Sequence, residues 1–143
     1  MKRFQFNLQK VLDVRNIEEE KAENKLQQAR QRAREIENEL DRLNGIQNEL
    51  YDFLRSNSTL TVKENINARN YIHNHRVKIR EVENILDKQE DHVHDCQEKY
   101  IQRKRNKELM EKLKEKKQEI FYKDYLKKEQ KILDEISQHI GGK

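Results

Sequence analysis

The chain has 143 residues, 41% charged and 33% apolar, with a net charge of +4 and no proline. Its mean hydropathy of -1.29 is too low to fill a round multilayer core, and leaves a choice between disorder and a thin, patterned interface. With three glycines in all, there is no glycine-rich phosphate loop and no glycine-bearing nucleophile elbow.

The pattern decides for structure. From Leu8 to Leu54, positions spaced alternately by three and four carry Leu8, Leu12, Ala22, Leu26, Ala29, Ala33, Ile36, Leu40, Leu43, Leu50 and Leu54, interrupted only by Arg15, Glu19 and Gln47. Two-sevenths of the positions suffice to line a seam between two α-helices, and the remaining faces must then be charged. A first helix is predicted over about 7–54, capped by Asn7 with Phe6 and Val11 as a hydrophobic staple. Gly45 costs only about 1 kcal/mol relative to alanine, and the ladder keeps its phase across it, so it is not expected to end the helix.

A polar break, Ser56-Asn57-Ser58-Thr59-Leu60, follows. Thr61 and Glu64 then form a capping box, three apart, that starts a second helix at about Val62. Its ladder runs from Ala68 through Ile72, Ile79, Val82, Leu86, Val93, Cys96 and Tyr100 to Met110, with His75, Gln89, Arg103 and Lys107 as polar members. So short a connection predicts an all-α antiparallel two-helix hairpin, a single elongated coiled-coil domain over 1–143. Helix 2 should continue to about 139 and end at Gly141-Gly142. At 1.5 Å per residue the legs would be roughly 70 and 115 Å long, placing the N-terminus opposite residues 108–112 and leaving an unpaired overhang beyond about 112.

That overhang is chemically distinct. Between Lys99 and Lys131 thirteen basic residues face six acidic ones, a net of +7. Ile120, Phe121, Tyr122 and Tyr125 precede a further ladder of Leu126, Glu129, Leu133, Ile136 and Ile140, and aromatic residues beside lysines are typical of docking surfaces. Arg15 and Glu19 interrupt the first ladder near the same end. They fit either a frayed seam with polar tips in solvent or an end built to meet another partner.

Metal and catalytic chemistry are not expected. In the pairs His73/His75 and His92/His94 the imidazoles are two residues apart and point to different helix faces. His92 and Cys96 share a face, but a site needs three or four converging ligands. Cys96 reads as a small seam residue, and its being single fits a reducing compartment. Carboxylates alternate with cations, as in Glu108/Lys112 and Glu119/Lys123, the pattern of a solvated helix surface. The expectation is a non-enzymatic protein with no cofactor and no small-molecule substrate. No apolar run is long enough to span a bilayer, and Met1-Lys2-Arg3-Phe4 lacks a following secretory core, which points to a cytoplasmic location.

The opening Phe4-Gln5-Phe6-Asn7-Leu8-Gln9-Lys10-Val11-Leu12-Asp13-Val14-Arg15 fits the pattern F-x-F-x-L-Q-x-V-L-x-x-R. With the length, the hairpin and the closing Lys128-Glu129-Gln130-Lys131 run, it resembles the flagellar export protein FliJ. The resemblance implies a coiled coil like the gamma-subunit stalk of F-type ATPases, acting in flagellar type III protein export. The partners it implies are the export ATPase ring, the membrane-embedded export gate and export chaperones, at the cytoplasmic face of the membrane by the flagellar base. Phe4, Phe6, Leu8, Leu12 and Arg15, beside Tyr122, Tyr125, Lys127, Lys128 and Lys131, would then form the end that enters the ring. Tyr71, Ile72 and Ile79 would contact the gate. The alternative is a basic coiled-coil adaptor that binds nucleic acid or an acidic scaffold through the lysine-rich helix, with a salt dependence to match.

Overall fold

The computed structural model describes residues 3–57 and 59–141. Ser58 of the expected break and Gly142 of the expected helix stop lie outside the described residues. Two helices, α1 (Gln9–Ser56) and α2 (Val62–Gly141), make up the fold, and among the described residues there is no strand. They pack against each other, so the all-α hairpin with a longer second helix is what the chain adopts.

The helix ends follow local chemistry. At the close of α1, Ser56 Oγ donates back to the carbonyl of Asp52 at 2.8 Å, and Asn57 N–H donates to that of Phe53 at 3.2 Å, taking up one of the last orphan acceptors. The capping box forms as expected: Glu64 N–H donates to Thr61 Oγ1 at 3.2 Å and Thr61 N–H to Glu64 Oε2 at 3.3 Å. The other end differs. Asn7 does not open the helix, which begins at Gln9; its Oδ1 instead accepts from Lys117 Nζ at 3.3 Å. Gly45 lies inside α1 and Gly141 inside α2, neither with positive φ.

The chain divides into two compact units, Ala22–Tyr100 and Met1–Lys21 with Ile101–Lys143. In the first, Leu26, Ala29 and Cys96 form a buried cluster flanked by Val93 and Tyr100. Leu43 is the most enclosed side chain, 1% exposed, and its burial is worth about 1.5–3 kcal/mol. The polar ladder members here are paired, not frayed. Gln47 Oε1 lies 2.9 Å from His75 Nδ1, and Gln89 Nε2 donates to the carbonyl of Ala29 at 3.0 Å. Backbone and side chain thus satisfy one another where apolar packing stops.

In the second unit Phe6 and Leu12 are buried, and the interruptions again meet. Lys107 Nζ sits 2.7 Å from Glu19 Oε2, and Arg103 Nη1 3.3 Å from Glu18 Oε2, which also pairs with Arg15 at 3.1 Å. Both expectations for Glu19, a solvent-reaching tip or a site kept open for another partner, are therefore corrected. Glu19 on α1 thus faces a cation of the α2 ladder, while Arg15 pairs with Glu18 of its own helix. The legs also stay in contact past the expected limit of 112. Lys114 Nζ donates to Gln9 Oε1 at 2.8 Å, and the Phe4 ring packs on Phe121 with centroids 5.6 Å apart. The reason is that Phe4–Leu8, though not helical, continues alongside α2 and carries its own partners.

Candidate docking surface

Around the N-terminal segment, aromatic rings and lysines alternate. Phe121 contacts Phe4 on one side and Tyr122 on the other, the latter edge-on with centroids 5.9 Å apart, the tilted geometry that ring quadrupoles favour. Lys117 Nζ stands 6.0 Å from the centre of the Phe6 ring while bonded to Asn7, at the outer reach of a cation–π contact. The Tyr125 phenol is pushed above its usual pKa, first by its hydrogen bond to Glu129 and then by desolvation and that carboxylate's charge.

Beyond Tyr125 the character changes. Every residue of α2 from Leu126 to Gly141 is exposed, including Leu126, Leu133, Ile136 and Ile140, half to seven-tenths accessible. These recur at spacings of seven, three and four residues and so share a face. Lys127, Lys128 and Lys131 project from the same two turns, and only one carboxylate, Glu129, lies among them. Monomeric proteins rarely leave such a contiguous apolar stripe open without a use for it.

Not all the predicted residues lie in the open. Phe6 and Leu12 are buried, Phe4, Leu8, Arg15 and Tyr125 half-buried, and Tyr122, Lys127, Lys128 and Lys131 exposed. In the other unit Ile72 and Ile79 are buried in the seam, whereas Tyr71 is exposed and stacks on His75 with ring centroids 6.3 Å apart. The family model described as Flagellar FliJ protein matches residues 4–142. The chain belongs to the FliJ family. Neither the curated proteins nor the solved structures compared with it gave a match. As a FliJ-family protein it is a component of the flagellar export apparatus, in a family without enzymatic activity. No helix among the described residues is long and apolar enough to cross a membrane.

What the sequence reading missed in this FliJ-family chain is the set of cross-helix polar pairs. The signal was present for one of them, because Glu19 interrupts one ladder and Lys107 the other. A lone anion on one leg of a hairpin and a cation on the other are an alignment cue. The sequence places Phe121 in the overhang, and nothing local in it says that Phe4 reaches that ring.

Proposed function

We propose that this protein is a single elongated coupling element of flagellar export that docks into the export ATPase ring and links it to the export gate and export chaperones. It works without catalysis, at the cytoplasmic face of the membrane by the flagellar base. The observation that carries this reading is the exposed stretch Leu126–Gly141, an apolar stripe flanked by Lys127, Lys128 and Lys131 and continuous with the Phe4–Phe121–Tyr122 aromatic cluster. A ring interior lined with carboxylates and apolar loops is the complementary surface.

In this reading Tyr122, Tyr125, Lys127, Lys128 and Lys131 make the contact together with Phe4. Phe6, Leu8, Leu12 and Arg15 hold the N-terminal leg against α2 so that the contact surface is presented in one arrangement. For the gate, Tyr71 supplies the outward ring, with Ile72 and Ile79 setting the backbone beneath it. Such a protein acts by touching some states of the ring more favourably than others, and so shifts their populations.

The experiment is co-purification with the export ATPase and measurement of ATP turnover. The triple variant Lys127→Glu/Lys128→Glu/Lys131→Glu should bind the ATPase and stimulate it less than the parent, at unchanged helicity. Unchanged binding would remove this end from the interface. Binding to RNA or DNA that falls steeply with salt, without any effect on the ATPase, would instead favour the adaptor reading.

A further inference from the structure

Within Ala22–Tyr100, α1 and α2 leave between them a cleft of about 530 Å³. Its floor is made of small side chains, Ala22, Ala29 and the Cys96 thiol, and its rim of three cations, Lys25, Arg32 and Lys99. His92, Nε2 3.7 Å from Cys96 Sγ, stands at one wall. No carboxylate lines it. Two other clefts of the same unit differ in this respect: one sets Glu35 and Glu39 beside Arg32, another Glu37 and Glu90 beside Arg30 and Arg34. A further cleft also lacks carboxylates, but its cations Arg69 and Arg76 are hydrogen-bonded to Asn65 and Tyr51.

We infer that this cleft receives an acidic amphipathic helix of a partner protein, laid into the groove between α1 and α2 as a third helix. Small residues on the floor favour such an approach, because helix axes pack about 8–10 Å apart and the side chains at the contact set where in that range they lie. From Ala22 to Arg32 the groove is about 15 Å long, three turns of a helix. Lys25 and Arg32 are seven residues apart and so stand on one side of it, two turns from each other, with Lys99 on the opposite rim. A partner helix with carboxylates at i and i+7 and a small apolar face between them matches that arrangement.

The charge pattern selects the occupant. Some cations of this unit are neutralised by a carboxylate, as Arg42 by Glu39 at 2.6 Å. Among the described residues Lys25 and Lys99 have no carboxylate within ion-pair distance, and Arg32 has only the exposed Glu35 at 3.5 Å. An anionic bilayer fits less well, because a flat surface pressed on this cleft would also meet the glutamates lining its neighbours. The surface is separate from the docking end, and nothing in it depends on entry into a ring.

The test titrates the full chain into a fluorescein-labelled helical peptide of about eighteen residues, with glutamates at i and i+7 and an alanine–leucine face, followed by anisotropy. Lysine replaces glutamate in a second peptide. The acidic peptide should bind saturably and the basic one should not. Lys25→Glu/Lys99→Glu should weaken binding about tenfold, with the neutral Lys25→Gln/Lys99→Gln pair losing less in the same direction. The equally charged control Lys63→Glu/Lys116→Glu, both exposed and outside the cleft, should change it by less than about twofold. Absence of saturable binding, or equal weakening by both glutamate pairs, would overturn the proposal. So would capture of phosphatidylserine vesicles through the same two lysines with no binding of the peptide.

Discussion

Glu19 and Lys107 face one another from the two helices, and the Glu19 side chain keeps only 11% of its surface while Lys107 keeps 28%. A carboxylate so enclosed is tolerable only because an ammonium supplies the hydrogen bond that water has lost. The residue that reads as a flaw in the first ladder is therefore half of a pairing device. Shifting α1 by a turn along α2 would leave apolar residues against apolar residues at many positions. It would also strand this carboxylate.

Charge exchange tests that role. Glu19→Lys should lower the melting temperature by placing two ammonium groups at one seam position, and Lys107→Glu should do the same with two carboxylates. The double exchange should recover most of the loss, as read from thermal unfolding by circular dichroism. Failure of the double variant to recover would mean that the site stabilises by packing alone.

The same pair gives a pH dependence. The pKa of Lys107 is raised, chiefly by its hydrogen bond to Glu19, with that carboxylate's charge adding to it and burial opposing. A raised folded-state pKa means the stabilisation is fully present below the ordinary lysine value of 10.5, and is lost as pH climbs through the higher folded value. The melting temperature of the parent should thus fall more steeply than that of Lys107→Met across this alkaline range. Parallel curves would show that the ion pair contributes nothing measurable.

Gln47 and His75 form a second polar pair across the seam. With Nδ1 of His75 donating to Gln47 Oε1, Nε2 is left buried without a hydrogen-bond partner. His75→Leu alone strands the Gln47 amide and should cost about 1–3 kcal/mol, whereas Gln47→Leu/His75→Leu should be near neutral or more stable. Urea unfolding of the two variants and the parent distinguishes these outcomes. If the double variant is as unstable as the single, the polar pair is needed for more than mutual satisfaction.

Two substitutions in α1 bracket the energetics of the seam. A Cβ added at Gly45 would meet no atom within 4 Å, and the backbone there is helical, so Gly45→Ala should stabilise by up to about 1 kcal/mol. Leu43→Ala, two residues away and fully enclosed, should cost about 2–5 kcal/mol. A Gly45→Ala variant that loses stability would point to a required bend in α1 at this position.

The sequence by itself determined the helices, their approximate limits, the seam and the capping box at Thr61 and Glu64. All of these rest on contacts within a few residues or on a repeat of 3.5, and both are visible along a single chain. Even the exposed stripe from Leu126 to Ile140 was readable as a face in search of a partner. Alignment of the legs was a different matter. Apolar ladders are nearly interchangeable under a shift of one heptad, so leucine and alanine cannot say which residue faces which. Only the packed structure decides that, through enclosed polar pairs that tolerate no substitute partner: Glu19 with Lys107 and Gln47 with His75. Desolvated polar groups lose too much when unpaired, and that penalty sets the alignment which hydrophobic periodicity leaves free.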